Sequence, residues 1–431
     1  MFIYSCFCCL FGFNIYKFLK FYRLNSIELF SLKKILINLK YFVNIIKKKK
    51  RDSMIYLDYS ATTPVNREVL ESFYKVSIDY PANANSLHKL GRESFHLMEA
   101  ATNQVANLLG VLKEEVIFTS GATESNNLAI LGTVLKYKSR GKHILTTKLE
   151  HSSILDTMDY LKNNGFEIEY LNILENGMVD LEDLKRKVRN DTVLVSINHV
   201  NSEIGLSQDV NKIGEILQKY PKVIFHVDGT QAIGKIKVNL DNIDLYSFSA
   251  HKIYGLKGVG CLIKKKHIEL EPIIHGGKSQ TIYRSGTPCV ALYVSLAKAL
   301  KLALENLDNK YEYVLKLNQK LKKNLETMKG IYINSNENSI PHILNISILG
   351  IKPETLMHSL AEEDIYISTK TACSYDNSMS ESVYEFTKNK EKAKTSVRIS
   401  LSYLTVDKEI DIFLKVLEKQ IEELRLKKGE Y

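Results

Sequence analysis

The run KVIFHVDGTQAIGK, residues 222–235, followed at 244–264 by DLYSFSAHKIYGLKGVGCLIK, decides how this chain folds. Each begins as a short apolar strand and ends in polar side chains: Asp228 closes the first, and Ser249, His251 and Lys252 close the second before a Gly-containing turn. Working outward, strand-like runs recur at EVIFTS (115–120), HILTT (143–147), EIEYLNI (167–173) and TVLVSIN (192–198), and helical periods at 67–79, 91–109 and 209–219. Alternating βα units predict a mainly parallel sheet covered on both faces, with ligands bound beyond the carboxyl ends of the strands. A helical stretch at 290–327 then leads to a strand near 342–348, a helix near 354–361, a strand at 397–402 and a last helix at 407–427, with 368–390 reading as a loop. The organisation expected is a leader (1–53), a large α/β domain (54–310) and a small C-terminal α+β domain (311–431), with residues 65–80 assigned to pack with the small domain.

Charge is distributed unevenly. Of 59 basic and 49 acidic residues, eleven basic and one acidic lie in residues 1–51, which leaves 48 of each in the body. A nucleic-acid binder needs a basic face on its folded part, and the bulk count offers none, so no direct nucleic-acid binding is expected. The leader is aromatic-rich and ends in KKKKRD (47–52). It reads as an organellar targeting segment, which points to a mitochondrion or a mitochondrion-derived organelle. A signal anchor and a non-functional extension are the other readings, the latter leaving the protein cytoplasmic. The apolar run Met1–Tyr16 is shorter than the roughly 20 residues of a membrane-spanning helix. Three scattered body cysteines, Cys261, Cys289 and Cys373, make no disulfide framework and no stable metal site. Cys261 reads as core and Cys289 as structural.

Four polar clusters sit at strand ends. SGATES (120–125) follows a strand with small residues and opens a helix, whose free N–H groups suit an anion. Its bland reading is an N-capped helix. Asp228 in HVDGTQ (226–231) is a carboxylate needing a partner, a cationic ring nitrogen or a structural Arg or Lys. Lys252 in SFSAHKIYG (247–255) stands where a lysine is desolvated and nucleophilic, although most lysines are surface groups. HGGKSQTIYRSGTP (275–288) is a polar loop with hydroxyls at Ser285 and Thr287. A phosphate cradle, a reactive lysine and an acid together match the needs of pyridoxal 5'-phosphate.

With YLDYSATTPV (56–65), FTSGATESNNLAI (118–130), EHSSILDT (150–157), HVNSEIG (199–205), YRSGTP (283–288) and TACS (371–374), residues 54–427 resemble a cysteine desulfurase of the NifS/IscS type, a class V aminotransferase-like enzyme of fold type I. The resemblance implies an α/β fold with a mainly parallel sheet in the large domain. It also implies conversion of L-cysteine to L-alanine, with sulfur passed to an enzyme persulfide for iron–sulfur cluster assembly and tRNA thiolation. Lys252 is then the lysine that holds the cofactor, Asp228 the partner of the pyridinium nitrogen, and His151 the ring-stacking proton carrier. Gln231 and Ser202 face the ring oxygen, and Ala122, Thr123, Ser249 and His251 line the phosphate. Thr287 reaches the phosphate of the neighbouring subunit of a homodimer. Arg398 clamps the substrate carboxylate, Asn201 contacts substrate or cofactor, and Cys373 is the nucleophile, in transient contact with iron–sulfur species at most. Implied partners are an iron–sulfur scaffold protein, frataxin, a LYR-motif accessory protein and an acyl carrier protein.

The chain departs from the family pattern in places. The second Asn of HVNNEIG is Ser202, whose hydroxyl still donates. DATQ is DGTQ at Gly229, which reads as a harmless shrinkage. SGSAC is STKTAC, which adds Lys370 and removes a Gly. A selenocysteine lyase-like enzyme and an inactive scaffold homologue are the alternatives.

Overall fold

The computed structural model describes residues 54–277, 280–369 and 379–429. The leader, Lys370 and Cys373 lie outside the described residues. The chain enters through a two-residue strand β1 (Ile55–Tyr56), helices α1 (Arg67–Asp79) and α2 (Lys89–Leu109), and strand β2 (Val116–Thr119). Then α3 (Ala122–Lys136), β3 (His143–Thr146), α4 (Ser152–Asn163), β4 (Glu167–Tyr170), α5 (Leu181–Lys187), β5 (Thr192–Asn198), α6 (Val210–Leu217) and β6 (Ile224–Asp228) alternate, before β7 (Leu245–Ser249) and β8 (Gly260–Lys264).

These strands form one sheet in the order β2-β8-β7-β6-β5-β3-β4. Every neighbouring pair is parallel except those made by β8, which runs antiparallel to both β7 and β2. β8 follows β7 without a crossover helix, so it returns against its neighbour. The side chains alternate between two cores. Phe118, Val195, Tyr246 and Phe248 pack with α1, α2 and α7 (Val290–Leu304) on one face. Ile117, Leu194, Leu245 and Leu262 pack with α3 and α4 on the other.

The rest of the chain comprises α8 (Leu307–Leu325), β9 (Ile331–Ile333), β10 (Ile343–Ile348), α9 (Pro353–Glu362), β11 (Ile365–Tyr366), α10 (Glu381–Thr387), α11 (Lys390–Lys394), β12 (Ser396–Ser400) and α12 (Asp407–Gly429). β12, β10 and β9 make an antiparallel sheet, and β1 pairs with β11. Ile55 and Leu57 join the apolar cluster of α8, α9 and α12. Residues 65–80 do not do so: Val69 and Val76 of α1 pack on the large sheet's core beside α7.

Two sequence expectations give way here. The helical stretch at 290–327 is two helices, because Asn306 adopts φ 54° and the Lys310 ammonium caps the Leu302 carbonyl at 2.6 Å. The loop at 368–390 contains α10, capped by Ser380 and seated through Val383 on Leu149, Ile204 and Leu206. None of the described helices is long and apolar enough to cross a membrane.

Buried histidines give the fold a pH signature. Burial lowers His199 and His226 to about 4, and lowers His342, with Lys235 adding to the effect, to about 3. Unfolded imidazoles titrate near 6.5, so stability from their neutral burial is complete above that pH and lost as pH falls toward 4. Glu150, pushed up to about 8 by burial, acts in the other direction, its contribution fading as pH rises through 8. Burial also lowers His143, His151 and His251 and raises Asp244. With six imidazoles set against two carboxyls, the urea midpoint should fall as pH drops from about 6.5 to 4. An unchanged midpoint across that window would show that these imidazoles are not buried neutral.

Candidate active site

Three of the four polar clusters stand where β2, β6 and β7 of the large sheet end, and the fourth reaches the same region through Arg284, which bonds Glu124. β2 runs into Gly121, and the first intrahelical bond of α3 is Ser125 N–H to the Gly121 carbonyl at 3.1 Å. The N–H groups of Ala122, Thr123 and Glu124 therefore precede the helical ladder and form an anion-binding end. A Cβ placed on Gly121 would meet only the buried Ser249 hydroxyl, at 3.8 Å, so that hydroxyl faces the helix start. His251 lies nearby with Nδ1 3.2 Å from Thr62 Oγ1. Burial, reinforced by Lys252, Lys257 and Lys235, lowers it to about 4 and keeps it neutral. Glu124 would repel an anion, but it is turned away. Its carboxylate accepts from Arg284 Nε at 2.9 Å and from Ser120 N–H at 2.7 Å.

Asp228, at the end of β6, is buried and accepts from Asn126 Nδ2 and from Thr230 N–H, each at 2.9 Å. Both donors are neutral, and among the described residues Asp228 makes no ion pair. Asn126 also donates to Ser153 Oγ at 2.9 Å, and Ser153 Oγ lies 2.9 Å from His151 Nδ1. The Ser153 N–H donates to the same Nδ1 at 3.1 Å, so the proton of the neutral ring rides on Nε2. Burial chiefly holds His151 below its ordinary value. Asn126 and Ser153 were missed in the sequence, although both lie inside motifs quoted for other residues.

Lys252 ends a short turn after β7. Its ammonium donates to the Ser60 carbonyl and, at 2.8 Å, to the Ala61 carbonyl. Gln231 donates through Nε2 to Ser60 O at 2.9 Å and accepts from Lys235 at 2.7 Å. Arg398, in β12 and 1% exposed, donates to Asp58 Oδ1 and to the Ser202 carbonyl, each at 2.9 Å. Its Nε is buried without a partner among the described residues. Residues 58–61 thus touch both the lysine and the arginine, and Asp58 is a further site residue that sequence reasoning passed over.

Other expected residues are placed differently. The Asn201 carboxamide is committed on every side: it donates to Leu149 O and Ser382 Oγ and accepts from Glu203 and Ile204 N–H, which leaves it no group to offer a ligand. Ser202 contributes its backbone carbonyl to Arg398. Thr287 is exposed. Cys261 is buried in β8, and Cys289, expected to be structural, is exposed at the start of α7 because its neighbour Val290 takes the inward position. Gly229 is no harmless shrinkage: a Cβ there would lie 1.9 Å from Tyr246 Cζ.

A phosphorylated pyridine aldehyde fits these residues. Asp228 is a buried carboxylate held by neutral donors and suits a protonated ring nitrogen. Among the described residues, buried oxygens of Ser60, Asn126 and Thr230 have no partner, and the helix start offers N–H groups to a phosphate.

The comparisons agree. The class-V aminotransferase family model matches residues 55–413. A cysteine desulfurase IscS of Buchnera aphidicola (subsp. Baizongia pistaciae) is 41% identical over 380 residues, 86% of this chain and 93% of that protein. The cysteine desulfurase IscS of Escherichia coli O139:H28 is 40% identical over 380 residues, with the same shares covered. A solved NifS-like protein superposes with TM-score 0.82 at 36% identity, covering 86% of this chain and 100% of the other. A NifS-like protein from Rickettsia africae does so with TM-score 0.77 at 30%, covering 86% and 99%. Fold and site together define a pyridoxal-phosphate enzyme of fold type I. The chain belongs to the class-V aminotransferase family, and within it to the cysteine desulfurases.

Proposed function

We propose that this enzyme takes L-cysteine, transfers its sulfur to the Cys373 thiol and releases L-alanine. The bond that breaks is the substrate's Cβ–S bond and the bond that forms is S–S, which leaves a persulfide on Cys373. The observation that carries this reading is that an amine, Lys252, and a guanidinium, Arg398, distant in sequence, are both tied to residues 58–61.

Bound pyridoxal phosphate supplies an electron sink for bonds at the substrate's α- and β-carbons. Lys252 holds it covalently, and Asp228 keeps a proton on its ring nitrogen. The N–H groups of Ala122 and Thr123, with Ser249 and His251, hold its phosphate. His151, neutral with its proton on Nε2, is placed as a proton carrier. Arg398 keeps Nε and further N–H groups for a substrate carboxylate. The exposed Thr287, together with Leu70, Tyr74 and Ile78, which stand exposed along one side of α1, supports a homodimer.

The test is to supply purified protein with L-cysteine and to measure alanine, persulfide by peptide mass spectrometry and native mass. Alanine and persulfide in equal amounts are expected from wild type. Lys252→Ala should lose the visible colour and slow alanine release by roughly a thousand-fold. Turnover of selenocysteine alone would favour the lyase reading, and a wild-type protein that takes up no cofactor would favour an inactive scaffold.

A further inference from the structure

Lys235 is a lysine the reaction does not use, and it is buried among groups of its own sign. It lies one turn beyond Gln231 and donates to Gln231 Oε1 at 2.7 Å. The other end of that carboxamide donates to Ser60 O at 2.9 Å, and the same carbonyl accepts from the Lys252 ammonium. Lys235, Gln231, Ser60 and Lys252 therefore form one hydrogen-bonded line that ends on the cofactor lysine.

The charged and titratable groups that act on Lys235, or feel its charge, come from three parts of the chain. Lys252 and His251 follow β7, Arg398 is in β12, and His342 precedes β10. Among the described residues, no carboxylate is one of them. Burial, with Lys252 and Arg398 adding to it, lowers Lys235 to about 7. Placing a lysine here is costly unless its N–H groups do something an apolar side chain cannot.

Their effect is on the orientation of an amide. A carboxamide is nearly symmetric in shape, and only its neighbours decide which end carries oxygen. Below about pH 7 Lys235 is an ammonium, which donates and never accepts and so faces the oxygen, and the neutral amine above that pH still has N–H groups to give the same oxygen; the Ser60 carbonyl accepts and never donates at any pH, so it faces the NH2 group. Both ends of Gln231 select the same orientation. We propose that Lys235 is a positioning residue that locks the Gln231 carboxamide so that Gln231 offers N–H, and not carbonyl oxygen, to the ring oxygen of the bound cofactor. This rests on the reading of Gln231 as a cofactor residue. When the cofactor is bound, an N–H at that oxygen would draw off negative charge and so would lower the proton affinity of the Lys252 nitrogen.

The experiment is a pH titration of the visible absorption of the holoenzyme, without cysteine, in wild type, Lys235→Met, Gln231→Leu and the double variant. Lys235→Met should raise the midpoint by about half a unit or more, the scale of one hydrogen bond. Gln231→Leu should raise it at least as far, and the double variant should match Gln231→Leu alone. Lys235→Gln, which both donates and accepts, should give a smaller rise and takes the place of Lys235→Met if that variant does not fold. The proposal is overturned if the lysine variants titrate as wild type does. It is also overturned if Lys235→Met adds its full shift on top of Gln231→Leu. A wild-type protein with no visible band would bring down the cofactor reading and this one together, whereas a normal wild-type band with unchanged lysine variants removes the Lys235 role alone.

Discussion

Cys373→Ala should leave the protein as coloured as wild type while alanine release from cysteine falls by roughly a thousand-fold or more, the scale of removing a nucleophile. The colour should survive because, among the described residues, Asp228 is held by Asn126 and Thr230, Gln231 by Ser60, and Lys252 by the Ala61 carbonyl. Alanine should not form because sulfur leaves cysteine only toward an acceptor thiolate. Residue 373 itself lies outside the described residues, but both flanks of its segment are fastened around Arg398. Ser368 exchanges backbone hydrogen bonds with Arg398, at 2.7 and 3.1 Å. On the other side, the Ser380 hydroxyl donates to Glu203, the neighbour of the Ser202 carbonyl that holds Arg398. The remaining body thiols serve as controls. Burial pushes the Cys261 thiol well up, which makes it a poor nucleophile, and Cys289 is at the exposed start of α7. Replacing both with alanine should leave alanine release intact. Wild-type alanine release by Cys373→Ala would mean that sulfur leaves by another route.

What the sequence disclosed follows a physical division. Strands buried on both faces read as continuous apolar runs, so β5 at 192–198 and the ends of β6 and β7 were placed to within a residue or two, and with them Asp228 and Lys252. Residues at strand ends in α/β folds are exposed to a ligand rather than to the core, so their polar identity shows in the sequence. Contacts between distant segments leave no such mark. Nothing local announces that Asp58 will meet Arg398, or that Asn126 will link Asp228 to Ser153. The short α10 was hidden because its seven residues carry too little period to separate from a loop, and its stability comes from Val383 on Leu149 and Ile204. The break at Asn306 was hidden because a single residue at positive φ interrupts an otherwise unbroken helical composition.

Gly229 is the position where reading by family pattern failed on sterics, and it carries the second large expected effect. Gly229→Ala should destabilise the enzyme by about 1–3 kcal/mol, the range for overpacking a filled core. It should also weaken cofactor retention. An added Cβ would sit 1.9 Å from Tyr246 Cζ, 2.1 Å from its hydroxyl oxygen and 2.2 Å from Cε1. Tyr246 cannot withdraw, because it is fully buried in β7 and its hydroxyl lies 3.3 Å from His199 Nδ1. The backbone of Gly229 must move instead, and Gly229 directly follows Asp228, whose carboxylate is aimed by the Thr230 N–H and by Asn126. Tyr246→Phe leaves Cζ and Cε1 in place and should rescue little. Tyr246→Leu removes the clashing atoms; it costs stability by itself through the cavity it leaves, yet in combination with Gly229→Ala it should restore much of what Gly229→Ala lost. The sign of that coupling is the test. A double variant less stable than Gly229→Ala, in urea melts of the cofactor-free and cofactor-loaded protein, would show that Tyr246 is not what makes glycine necessary beside Asp228.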